Sequence, residues 1–262
     1  MSTPSITSPQ DARSRYLLRV ADTCLIHAQR QSEWCGHGPI LEEDIALTNM
    51  SLDLIGQARA LLTHVGQGAT PPLDEDQLAF LRDERDYLNM TLVEQPGRKG
   101  GRDFADAVMR NLLIGAWLQL MWQRLQASTD AEVAAIAGKA VKEARYHVEH
   151  AADWVVRLGD GTDESARRMR EALDRLWPYT HELFDDDDAD AAAVTSGLGP
   201  ARSALQADWQ ATVKTTLADA QLALPKDTAF RSTGSRGVHS ENLGYMLAEM
   251  QHLQRAFPGG RW

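Results

Sequence analysis

The chain has little of what marks a secreted, membrane-spanning or disulfide-stabilised protein. Its 262 residues include only two cysteines, Cys24 and Cys35, and they form no C-x-x-C pair. Neither a set of disulfides nor a thiolate metal site is therefore indicated. Residues 1–12 lack the charged and then apolar run of a signal peptide. No apolar run reaches the length of about 18 residues that a membrane span requires. These absences predict a soluble cytoplasmic protein with no membrane partner.

Positive charge is also scarce. The chain carries 27 Lys and Arg against 37 Asp and Glu, a formal net charge of −10. A surface of that sign repels a phosphate backbone, which argues against nucleic acid as a partner. A local basic patch could still bind a phosphorylated small molecule.

Strand patterns and nucleotide or nucleophile motifs are missing as well. The sequence has no alternating strand between turn signals, no G-x-G-x-x-G after a strand, no P-loop and no G-x-S-x-G. The periodicity is helical nearly throughout. The predicted helices are Pro9–Gln31, Leu41–Val65, Asp74–Val93, Asp103–Gln126, one that Asp130 caps and that ends at RLGDGT, Glu164–Phe184, Arg202–Leu222 and Ser240–Phe257.

This pattern predicts an all-α fold, a ferritin-like four-helix bundle with additional peripheral helices. We expect a single domain over residues 1–262, with 1–12 as a flexible tail. The acid run Asp185–Asp188 and the alanines after it are predicted to form a solvated loop. The apolar stripe of the second helix lies at helical spacing: Leu41, Ile45, Leu52, Ile55, Ala58 and Leu62.

Acids and histidines on one helix face raise the question of a metal centre. Glu143, His147 and His150 share a face of the helix that contains Lys139–Trp154. In a di-iron bundle two helices each give a Glu and two give a Glu-x-x-His pair. Here the spacing is wrong, because Ala144 lies three residues before His147.

The other helices also lack the ligand pattern. The third long helix has no Asp, Glu or His between Ala107 and Thr129, and Glu249–His252, in the last helix, is a pair that arises easily by chance. We therefore expect no cofactor in this chain. Our hypothesis is that a structural polar core occupies the place of a di-iron site, with solvated faces or a genuine metal site as open alternatives. Its predicted members are Asp53, Lys142, Glu143 and His147.

Seven blocks of sequence together point to a family. They are EWCGHGP (33–39), LDLIGQAR (52–59), LAFLRDERDYLN (78–89), TLVEQP (91–96), KEARYH (142–147), RLGDGT (157–162) and GYMLAEMQHLQR (244–255). In this order they resemble the C subunits of the bacterial phenylacetyl-CoA epoxidase, a multicomponent ring-oxygenating enzyme of aerobic phenylacetate degradation.

The resemblance implies a non-catalytic structural subunit. Its partner would be the catalytic A subunit, which carries the di-iron centre, together with further oxygenase-complex and reductase subunits. The large apolar interface expected of such a complex has candidate anchors in seven tryptophans. Two other classes stay open: a self-sufficient di-iron oxygenase with an atypical ligand set, and an independent ligand-binding or storage bundle.

The resemblance also implies that this protein lines part of an acyl-CoA groove, with phenylacetyl-CoA at the subunit interface. The residues expected there are Asp86, Tyr87, Leu88 and Asn89, with Ala191, Ala192 and Ala193. Chemically, Tyr87 could stack, Asn89 could bind an amide, and Arg82 or Arg85 could meet a phosphate. The alternative is that Tyr87 and Leu88 pack into the core of their own helix.

Overall fold

The computed structural model describes residues 4–97 and 101–260, and helices make up most of these ranges. Within these ranges the only β pairing is two isolated bridges, Ile6 with Arg82 and Thr233 with Val238. The all-α prediction is confirmed. The helices are α1 (Ala12–Ser32), α2 (Leu41–Gln67), α3 (Glu75–Phe80), α4 (Phe104–Leu125), α5 (Ala131–Gly159), α6 (Asp163–Leu176), α7 (Asp188–Ser196), α8 (Gln206–Asp219), α9 (Glu241–Met250) and α10 (His252–Ala256).

Helices α1, α2, α4 and α5 form the bundle, with α1 packed on α2 and α4 packed on α5. Three of the four begin at an aspartate whose carboxylate accepts backbone N–H groups of the first turn: Asp11, Asp103 and Asp130. Each such cap stabilises its helix by about 1 kcal/mol. The long helices thus begin where the sequence predicts.

Helix α4 lies at the centre of the molecule because α5, α6 and α8 all pack against it. Its Trp117 and Trp122 are fully buried, as is Trp209 of α8 at 2% exposure. Trp117 donates its indole N–H to the Leu183 carbonyl at 3.0 Å, and Trp209 donates to the Leu113 carbonyl at 2.8 Å. These bonds let large rings be buried without an unpaired donor.

None of the helices in the described ranges has the length and apolar character to cross a bilayer.

The predicted helix Asp74–Val93 is wrong beyond Phe80. Residues 81–97 run as two short 3₁₀ turns joined by extended chain. The backbone N–H of Leu88 donates to the Asp22 carboxylate at 2.9 Å, and that of Met90 donates to the Thr23 hydroxyl at 3.2 Å. Side chains of α1 thus satisfy backbone groups that would otherwise need a helix.

The predicted loop at the acid run is also wrong, because its end forms the start of α7. Asp187 caps this helix by accepting from the Ala189 and Asp190 N–H groups. Asp190 is 1% exposed and pairs with Arg19 at 3.0 Å and with Arg202 at 3.1 Å. Two buried guanidiniums draw the acid run into the protein, and this long-range pairing is invisible in local sequence.

The N-terminal stretch expected to be a tail contacts the same irregular segment. The Ile6 N–H donates to the Leu81 carbonyl at 2.9 Å, and Ser5 bonds to Asp83. Ser8 is 4% exposed. Residues 1–3 of that stretch lie outside the described residues.

Candidate functional site

A small polar cavity lies inside the bundle, between its four helices. It has a volume of about 10 Å³, room for little more than one water-sized group. Every bundle helix gives it a buried polar side chain: His27 from α1, Gln57 from α2, Asn111 from α4 and His147 from α5. Metal centres of helical bundles are built at such a place, from side chains that project inward on facing helices.

Gln57 ties the four helices together through one side-chain amide. Its Oε1 accepts from the Trp122 indole N–H at 3.2 Å and from the Cys24 thiol at 3.6 Å. Its Nε2 donates to Glu143 Oε2 at 3.0 Å. The carboxylate of Glu143 is thus bonded to an amide and does not stand free as a ligand. Burial of Cys24 raises the pKa of its thiol, which keeps it a neutral donor.

The predicted polar core falls along the seam between α2 and α5. His147 Nε2 lies 3.1 Å from Asp53 Oδ2, and the partly buried Glu143 has Lys139 at 3.7 Å. Lys142 is exposed, and the cation found beside Glu143 is Lys139, which is exposed as well. The structure therefore brings together three of the four predicted residues, with the acids each bonded to a neighbour.

His27 and Asn111 are neutral and lack protein partners for key atoms. Neither the two amide atoms of Asn111 nor the Nδ1 atom of His27 bond to a protein group in the described part of the chain. Burial, together with the nearby charges of Arg110 and His147, holds the pKa of His27 well below its usual value. His27 is therefore a neutral imidazole at physiological pH.

This donor set does not fit a di-iron centre. Such a centre takes four inward carboxylates and two imidazoles, whereas the polar groups that line the cavity are amides and two imidazoles. Across residues 4–97 and 101–260 no three His, Cys, Asp or Glu side chains are grouped closely enough to hold a metal ion. Glu249 and His252 are both exposed and are separated by the break between α9 and α10.

Four of the seven residues expected at an acyl-CoA groove, those at 86–89, lie on the irregular segment 81–97. Tyr87 is fully buried: its hydroxyl donates to the Ala79 carbonyl at 2.5 Å and accepts from Gln251 Nε2 at 2.8 Å. Asn89 is also fully buried and donates to Glu94 at 2.9 Å. Asp86 and Leu88 are the partly exposed members. The aromatic ring and the amide thus serve the internal packing of the segment.

A buried ion pair fixes this segment to the C-terminal region. Both ring nitrogens of His239 face acceptors, Nδ1 at 2.7 Å from Glu94 Oε1 and Nε2 at 2.8 Å from the Tyr87 carbonyl. Burial by itself lowers the pKa of His239, but these two acceptors raise it above its usual value. Since neither acceptor can donate, the imidazole is held with a proton on each nitrogen.

The second predicted groove segment, Ala191–Ala193, lies in α7. Ala193 is buried, Ala192 half-buried and Ala191 exposed. Arg19 of α1 pairs with this helix through Asp190, and Asp22, almost one turn along α1, binds the other predicted segment. Both groove segments are therefore anchored on the same side of α1.

A different surface carries most of the exposed aliphatic side chains of the bundle. We refer to Leu41, Ile45, Leu52 and Ile55 as the α2 face; their exposures are 71, 53, 60 and 43%. They are four of the six residues in the apolar stripe of this helix. The apolar residues that the helix does bury include the other two members of the stripe, Ala58 and Leu62. They are Leu47, Met50, Leu54, Ala58, Leu61 and Leu62. An amphipathic helix normally buries one apolar face, so the α2 face is an additional apolar surface that stays exposed.

The tryptophans of the described residues are mostly buried. Among the six in the described ranges, Trp34, Trp117, Trp122 and Trp209 are buried, and Trp154 and Trp177 are half-buried. Trp262 lies outside those ranges. Four of the six described tryptophans are thus buried within the chain and are not exposed as anchors for an interface.

Two comparisons with known proteins show the family of the chain. A family model described as "Phenylacetic acid catabolic protein" matches residues 2–262. The chain belongs to this family. It is also similar to the C subunit of the 1,2-phenylacetyl-CoA epoxidase from Escherichia coli (strain K12), with 47% identity over 247 residues, which cover 94% of this chain and 98% of the relative. The resemblance drawn from the seven sequence blocks is confirmed.

Sequence reasoning identifies only His147 among the four side chains that converge on the cavity. From its lack of matching spacing, His27 is predicted to be a helix cap or a core residue. Gln57 occurs in the block LDLIGQAR but is given no role there, and none of the seven blocks includes Asn111. A signal exists for Asn111, since it is an amide within a stretch of α4 that is otherwise almost wholly apolar. For Gln57 the signal is its place four residues after Asp53, on the side of α2 that faces α5.

Proposed function

We propose that this protein is a non-catalytic structural subunit of a multicomponent 1,2-phenylacetyl-CoA epoxidase, acting in the cytoplasm. The observation that supports this role is the cavity at the bundle centre, where His27, Gln57, Asn111 and His147 converge without a carboxylate. The name of the Escherichia coli relative supplies the enzyme and the place within it. The di-iron centre then belongs to the partner, the catalytic A subunit.

In this role the amide-linked interior replaces the metal coordination of a catalytic bundle. Gln57 connects α1, α4 and α5, and His147 connects α5 to α2. Each net contribution is about 0.5–1.5 kcal/mol, and the bonds are shared between all four helices. The bundle therefore keeps its shape without a bound ion, as a scaffold for the A subunit and for the further oxygenase and reductase subunits of the complex.

We also propose that the protein forms one wall of the acyl-CoA groove. The partly exposed Asp86 and Leu88 and the exposed Ala191 support contact with phenylacetyl-CoA at the subunit interface, whereas Tyr87 and Asn89 would act by holding the segment in shape. Ala192 and Ala193 would set the packing of α7 beneath it.

The test is the iron content of the chain, purified alone and after co-expression with the A subunit from the same organism. We expect no stoichiometric iron in the lone chain, with iron and phenylacetyl-CoA-dependent oxygen consumption appearing only in a stable complex. Asn111→Leu should leave the iron content of that complex unchanged, as should Glu143→Gln. Two irons in the lone chain, lost in the Glu143→Gln variant, would contradict the scaffold role and favour a self-sufficient oxygenase.

A further inference from the structure

Two buried guanidiniums lie close together where α1, α4 and the end of the segment 81–97 meet. Arg30 of α1 is 8% exposed, and Arg110 of α4 is 2% exposed. Arg30 Nη2 donates to the Glu94 carbonyl at 2.6 Å, and Arg110 Nη1 donates to the Gln95 carbonyl at 2.9 Å. Because these carbonyls belong to consecutive residues, the backbone holds two positive charges at one place in the protein interior.

Only one of these two charges has a carboxylate partner. Glu33 pairs with Arg30 at 2.6 Å. Arg110 forms no ion pair within the described ranges, and the residues outside those ranges include no aspartate or glutamate. Burial, together with the charge of Arg30, lowers the pKa of Arg110 to about 9. The guanidinium is therefore still positive at neutral pH, and a buried charge without a counter-charge is strongly unfavourable.

Donors without partners accompany a small space beside these two residues. The Nε atoms of Arg30 and Arg110 are buried and bond to no protein group in the described part of the chain. Both residues line a cavity of about 10 Å³, together with Trp34 and Ala107. We refer to this space as the Arg110 cavity. Its volume admits about one water-sized group, such as a halide ion, and is too small for a phosphate or an organic acid.

The carboxylates that line the Arg110 cavity are already paired with other guanidiniums. The pairs are Glu33 with Arg30, Asp103 with Arg168 and Asp106 with Arg175. Arg102, which is exposed, adds a further guanidinium at the cavity. The side chains described at this place thus leave the charge of Arg110 without a direct negative partner, although the space next to it can hold one small ion.

We propose that the Arg110 cavity binds one monovalent inorganic anion of the size of chloride, held by the guanidiniums of Arg110 and Arg30. The anion takes the place of the missing carboxylate and accepts from guanidinium N–H groups. It joins the end of α1 to α4 and to the end of the segment 81–97, and its binding stabilises the folded chain. This site does not depend on the function proposed above.

The experiment measures urea unfolding of the purified full chain in sodium chloride and in sodium gluconate at equal ionic strength. Gluconate is too large for the cavity, and equal ionic strength removes general screening from the comparison. Chloride that binds only the folded chain should raise the ratio of folded to unfolded protein, by about 11-fold when chloride is at ten times its Kd.

Two variants assign this effect to the cavity. Arg110→Met keeps an unbranched buried stem but removes the charge, so it should unfold equally in the two salts. Arg124→Met is the matched control, because Arg124 is 54% exposed and lies in a surface pair with Asp208. The control should keep the full difference between chloride and gluconate.

A crystal structure of the wild-type chain grown in sodium bromide gives a second readout, which stands even if Arg110→Met fails to fold. We expect an anomalous bromide peak within hydrogen-bond distance of the Arg110 guanidinium. The proposal is overturned if this peak is absent, if the wild type unfolds equally in the two salts, or if a folded Arg110→Met keeps the difference. A bromide peak without chloride-dependent stability would indicate an adventitious ion only, and it would overturn the proposal as well.

Discussion

Replacing Asp22 by asparagine tests whether one carboxylate holds the irregular segment 81–97 against α1. Asp22 and Arg82 are both fully buried. The carboxylate accepts from Arg82 Nη1 at 3.0 Å, from Nη2 as well, and from the Leu88 N–H at 2.9 Å. Asparagine keeps the shape of the side chain but leaves the guanidinium without a counter-charge.

The magnitude follows from the burial of the pair. Burial by itself would lower the pKa of the Arg82 guanidinium, yet the Asp22 charge and hydrogen bond raise it above its usual value. Breaking such a pair on one side costs about 3–5 kcal/mol. Arg82 keeps its bond to the Asp86 carbonyl at 2.9 Å, so we expect a loss of about 3 kcal/mol, the lower end of that range. That is a large share of the roughly 5–15 kcal/mol that stabilise a typical domain.

The assay is urea unfolding followed by circular dichroism, with hydrogen exchange of residues 81–97 as a local readout. Asp208→Asn is the matched control: its partner is Arg124, both side chains are 54% exposed, and the expected cost is below about 1 kcal/mol. Removing both buried charges with Asp22→Leu and Arg82→Met should cost less than Asp22→Asn alone. The reasoning is refuted if Asp22→Asn unfolds within experimental error of Asp208→Asn, or if the double variant is the least stable of the three.

Two further predictions need only the purified chain. Because the pKa of His239 is raised in the folded state, its contribution to stability is complete below the unfolded value of about 6.5 and is lost as pH rises through the folded pKa. The midpoint of thermal unfolding should therefore fall over that pH range, and His239→Gln should flatten this pH dependence. An unchanged slope in the variant would exclude His239 as its source. Cys35 is exposed and Cys24 is buried, so a thiol reagent should modify only Cys35 in the native chain and both cysteines in denaturant. Rapid modification of Cys24 in the native chain would show that the interior around Gln57 opens.

The long helices can be predicted from sequence because each is specified locally. Helices α1, α4 and α5 carry an aspartate cap followed by a helical apolar period, and their predicted starts lie within a few residues of those observed. The lack of an inward carboxylate on most of α4 can also be predicted, because no Asp or Glu occurs between Ala107 and Thr129 in the sequence. Neither the helix starts nor the missing carboxylate requires knowledge of the tertiary contacts.

The irregular segment 81–97 and the start of α7 could not be predicted, because distant residues decide them. LAFLRDERDYLN has a helical composition, and distant groups make an extended path better for its backbone. Among them are the Asp22 carboxylate and the Thr23 hydroxyl of α1, and His239 near the C-terminal helices. In the same way, Arg19 and Arg202 turn part of an acid run from a solvated loop into a helix start. The α2 stripe is visibly apolar in the sequence, but periodicity cannot say which of two apolar faces a helix buries.

The buried carboxylates of Glu94 and Glu182 also bear on the order in which the chain can complete its structure during synthesis. Glu94 and Glu182 receive hydrogen bonds from Ser232, Ser235, His239 and Ser240, residues that are synthesised after both carboxylates. Until those donors leave the ribosome, the two carboxylates keep their hydration, since burying them unpaired is unfavourable by several kcal/mol. The bundle helices can associate early, but residues 81–97 can complete their packing only after residues 232–240 have been synthesised. A nascent chain would therefore leave residues 81–97 exposed to solvent until residues 232–240 have been made.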